Sequence, residues 1–132
     1  MKADKLATCF ETSQKLKEAG FPQEDSYFVW IIGGFKSPIS KNRKEAKSIT
    51  PESRKISAFT VSELLEELPL LLEKKAFTYF LTIEKSGKCN FDLYGYVVDY
   101  IDSEKGKLFG DVENESLPEA LAQLWLRVKE YK

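Results

Sequence analysis

Of the side chains able to move protons, attack carbonyls or ligate metals, one type is missing from these 132 residues: there is no histidine. Without imidazole there is no Ser-His or Cys-His activation of a nucleophile, no histidine metal ligand, and no general base of the usual kind near neutral pH. Carboxylates remain. Glu63, Glu66 and Glu67 fall close together, and Asp99, Asp102, Glu104, Asp111, Glu113, Glu115 and Glu119 make the last third acidic. Paired carboxylates can act as acid and base, and oxygen-rich clusters can bind Mg²⁺ or Ca²⁺. Their spacing favours neither: Glu63 occupies a capping position, Glu66 and Glu67 read as the solvated side of a helix, and the later acids lack the Ca²⁺-loop pattern. Gly33-Gly34 ends an apolar run, but the following Phe-Lys-Ser-Pro holds neither a helix start nor a Gly-Lys-Ser/Thr arrangement, so it reads as a strand terminus. Cys9 and Cys89 are too few for a disulfide framework, and each sits on an apolar face as a reduced core thiol. No catalytic residue, cofactor or metal is expected.

The residues suited to binding are of two kinds. Between Phe35 and Ser57 lie Lys36, Lys41, Arg43, Lys44, Lys47, Arg54 and Lys55 against Glu45 and Glu52, a surplus of five positive charges. The rest of the chain carries thirteen basic against nineteen acidic residues, so a formal net charge of −1 hides a strong asymmetry. Pro38, Pro51 and five serines break any periodicity there, and 35–57 reads as a long, mobile basic loop. Such a loop suits an acidic protein surface, a second copy of the chain, or nucleic acid. The second kind is aromatic: Tyr94, Tyr96 and Tyr100 share one parity of an expected strand and form a candidate stacking surface. The candidate binding set is therefore Lys41, Arg43, Lys44, Lys47, Arg54, Lys55, Tyr94, Tyr96 and Tyr100.

The elements that must position these residues are marked by local signals. Thr60 and Glu63 form a capping box with Phe59 and Leu64 spaced as a hydrophobic staple, and Val61, Leu64, Leu65 and Leu68 share one helical face that Pro69 must end. An amphipathic helix is expected from about Asp4 to Ala19, closed by Gly20 in a Schellman motif with Phe21 against Leu16. Ser26–Ile32 is apolar on both parities and reads as a central strand. Residues 76–98 read as a hairpin whose odd positions face the core, with a Lys85-Ser86-Gly87 loop pairing Ile83 with Cys89. Its even positions, half polar and half aromatic, form either a second covered layer or an exposed recognition face. Ser103–Gly106 is a turn, 107–112 a weak edge strand, and Ser116 with Glu119 a second capping box opening a final helix with the stripe Leu117, Ala120, Leu121, Leu124, Trp125, Val128 and Tyr131. Leu126 points away from that stripe and is a candidate dimer contact.

The resulting class is α+β: one domain over 1–132, with a four-stranded, mainly antiparallel sheet (26–32, 76–84, 88–100, 107–112), terminal helices on one face, and a short capped helix between strands 1 and 2. At this length a domain buries roughly two-thirds of its unfolded surface without staples. A hydrophobic content of 42% with 13% aromatics suits a globular protein, and no apolar run approaches the ~20 residues of a membrane span. Met-Lys-Ala-Asp-Lys-Leu carries no secretory signal, so a cytoplasmic location without membrane partners is expected.

Ala58–Pro69, Tyr79–Ile83 and Glu115–Leu126, in that order, resemble a family of small uncharacterised proteins found in bacterial prophages and mobile elements. The likeness covers the C-terminal two-thirds and rests on capping and packing residues. It implies the fold and a phage-linked, cytoplasmic origin, and carries no activity with it. The function expected is a small non-catalytic binding or adaptor protein recognising an acidic partner, or itself, through the basic loop. The alternative is a nucleic-acid binder using that loop and the hairpin tyrosines, and a carboxylate-only enzyme stands behind both.

Overall fold

A computed structural model describes residues 6–23, 26–32, 39–46, 55–74, 77–88, 93–110 and 112–131. Helix α1 spans Phe10–Glu18, later than expected, because Ala7 bridges Thr60 and the Thr8 N–H donates to Phe59 O at 3.0 Å, which holds that stretch extended. It closes as its sequence predicts. Gly20 takes φ +91°, its N–H reaches Lys17 O, and the Phe21 N–H reaches Leu16 O, the two bonds of a Schellman motif.

Strands β1 (Phe28–Ile31), β2 (Ile39–Asn42) and β3 (Lys55–Ala58) form an antiparallel sheet in the order β2-β1-β3. The expected central strand is thus central, but in a sheet of its own rather than beside the hairpin. Its pairing partners come from the segment read as a mobile basic loop, which also holds the one-turn helix α2, Arg43–Ala46. That expectation is corrected: charge and proline content concealed β3, Lys-Ile-Ser-Ala, all four of whose residues are buried. One face of this sheet carries Val29, Ile31, Lys55 and Ser57. On the other, Trp30 donates its Nε1–H to Thr8 O at 3.1 Å and meets the Phe10 ring edge-on at 6.0 Å.

Helix α3 (Val61–Glu67) opens with the full capping box: Glu63 N–H donates to Thr60 Oγ1 at 3.4 Å, and Thr60 N–H to Glu63 Oε1 at 2.9 Å. Leu68 is already extended (φ −86°, ψ 125°), as a residue before proline should be. The chain then forms β4 (Leu71–Lys74), a strand absent from the expectation, followed by β5 (Phe77–Lys88), β6 (Leu93–Asp102), β7 (Gly106–Lys107) and β8 (Val112–Asn114). These make a five-stranded antiparallel sheet in the order β4-β5-β6-β7, with β8 also on β6. The α+β class with a largely antiparallel sheet holds, with five strands here rather than four.

The hairpin register differs from the expected one. Residues 85–87 lie within β5 rather than in a turn, and Ile83 pairs with Val98, Leu81 with Tyr100 and Lys88 with Leu93. Odd positions of β5 therefore share a face with even positions of β6. The inner face carries Leu72, Tyr79, Val98 and Tyr100, all in the main core. This register buries Val98 and Tyr100, which the odd-odd pairing would have left outside.

Helix α4 (Leu117–Tyr131) covers that face with Ala120, Leu121, Leu124, Trp125 and Val128, close to the predicted stripe. Trp125 meets Phe21 edge-on at 4.8 Å, and Phe21 packs on Phe59 at 4.4 Å, so Leu16 of α1, Phe59 just after β3, and α4 join one apolar cluster. Among the described residues, no helix is long and apolar enough to cross a membrane.

Candidate binding surfaces

The basic candidates do not converge. Arg43 is half-buried and its guanidinium is committed to the fold: Nε–H donates to Ser26 O at 3.0 Å, and the Nη2 group to Gln23 O (3.0 Å), Ser26 Oγ (2.9 Å) and Ser57 Oγ (2.6 Å). The Ser57 hydroxyl donates onward to Gln23 O, so one arginine ties α2, Gln23 and Ser26 to β3. Lys55 is buried in β3 and Lys44 is exposed. Lys41 lies in β2 opposite Val29, while Lys47 and Arg54 fall outside the described residues.

The tyrosines also separate. Tyr100 is fully buried and its hydroxyl donates to Pro69 O at 2.6 Å; burial pushes its pKa up to about 12. It is a core residue, not a stacking platform. Tyr96 is half-buried on the same inner parity, and the Tyr94 backbone pairs with Gly87.

The carboxylates serve local geometry. Glu63 caps α3 and also accepts the Tyr27 N–H at 3.0 Å. Asp99 is buried and accepts the N–H groups of Tyr100 and Phe109 through Oδ1, fixing the chain between β7 and β8. Asp102 accepts from Glu104 and Lys105 in the turn. Among the described residues, no three Cys, Asp or Glu side chains group in a way that could hold a metal ion.

Glu119 departs from its expected role. Its carboxylate accepts the Cys9 N–H and the Thr12 hydroxyl, capping α1 from another helix, while the buried Ser116 hydroxyl has no hydrogen-bond partner. Cys9 is exposed rather than in the core, and its thiol donates to Thr12 Oγ1 at 3.3 Å; Cys89 lies outside the described residues. The Cys9 thiol is thus linked to the Glu119 carboxylate through the Thr12 hydroxyl. Both carboxylate oxygens are engaged by other donors, so neither is aimed at the thiol.

The surface that sequence reasoning only half identified is the outer face of the five-stranded sheet. Leu71 and Phe80 are directly opposed across β4 and β5 and are 44% and 55% exposed. Ile101 opposes Phe80 on β6, and Lys107 opposes Ile101 on β7. One row across the sheet therefore reads Leu71, Phe80, Ile101, Lys107, with Glu73 one step along β4 on the same face. The signal for β4 was present as three leucines directly after Pro69, a short apolar run of strand length. Comparison with protein-family models, curated proteins and solved structures finds no match for the chain.

Proposed function

We infer that this chain is a small non-catalytic binding protein that recognises a protein surface through the outer face of its five-stranded sheet. The observation that carries the reading is the Leu71–Phe80 pair. Cross-strand pairs stabilise a sheet most when covered, and these two large apolar side chains open to water forgo that burial. The basic segment is a weaker carrier, because Arg43 and Lys55 are drawn into the fold. Catalysis is disfavoured by the Cys9–Thr12–Glu119 cluster, where the carboxylate is occupied in capping. A prophage or mobile-element origin rests on the motif resemblance alone.

The test places a photoreactive phenylalanine analogue at position 80 of the full chain and irradiates the cells that make it. Discrete protein adducts are expected, falling when Leu71 is changed to serine. Adducts no more abundant than those from the same analogue at exposed Lys44 would overturn the reading.

A further inference from the structure

We draw no further inference here: the strongest candidate, the open Leu71–Phe80 patch on the outer face of the five-stranded sheet, belongs to the surface already described, and nothing in the structure shows which partner covers it.

Discussion

Glu119, in the first turn of α4, accepts the backbone N–H of Cys9, the N-cap residue of a helix 110 positions earlier. Cys9 has no side-chain cap of its own, and Thr12 donates its hydroxyl to the other carboxylate oxygen. The two helices run in the same direction, with Cys9 beside Glu119 at one end and Phe21 beside Trp125 further along. One negative charge therefore serves two positive helix ends. Glu119→Ala should cost about 1–3 kcal/mol in urea unfolding, the loss of a cap and a charge-assisted bond, and Glu119→Gln should cost less because its amide oxygen still accepts.

Arg43 and Lys44 are adjacent and of the same charge, yet they should behave differently. Arg43→Ala removes the guanidinium's bonds to Gln23, Ser26 and Ser57 and leaves the Ser26 carbonyl without this donor, so a loss of about 2–4 kcal/mol is expected. Arg43→Lys should recover little, since an ammonium cannot reproduce the fork. Lys44→Glu should fall within about 0.5 kcal/mol. Equal losses at both sites in chemical denaturation would contradict the clamp.

Tyr100 gives a pH signature. Its phenol stays protonated in the folded chain to about 12, against an ordinary value of 10.0, because burial disfavours the phenolate. A raised pKa adds stability that is present in full below pH 10 and is lost as pH rises from 10 through 12. Tyr100→Phe should lower stability by about 1–2 kcal/mol at pH 7, leaving Pro69 O unpaired, while flattening the decline above pH 10. The comparison of the two unfolding curves across that window checks both effects.

Neighbouring leucines on β4 report the two faces of the sheet. Leu72 is in the main core and Leu71 is on the open face, so Leu72→Ala should cost about 2–5 kcal/mol and Leu71→Ala under about 1 kcal/mol. Trp125→Ala, which empties the contact with Phe21, should cost about 3–5 kcal/mol. Similar values for the two leucines in urea unfolding would show that the face assignment is wrong.

What the amino-acid sequence determined by itself was everything set within a turn or two of chain. The Thr60–Glu63 box, the Gly20 stop, the extended Leu68 before Pro69 and the α4 stripe depend on hydrogen bonds and contacts between residues three to five apart, so their spacing is the signal. The α+β class followed from those elements and the β-rich stretches between them.

The tertiary structure decided what depends on a competitor elsewhere. Ser116 and Glu119 have capping-box spacing, but the open N-terminus of α1 is a stronger draw for the carboxylate. The hairpin could pair in several registers with equal local chemistry; the one adopted turns Val98 and Tyr100 toward α4, and a one-residue slip would have turned them out. Arg43 looked like a surface charge because composition does not show that Gln23 and Ser26, before β1, and Ser57, in β3, converge on it. Leu71 and Phe80 became a surface for the same reason: apolar pattern marks a residue for burial, but only the placement of the helices on the opposite face left this pair in the open.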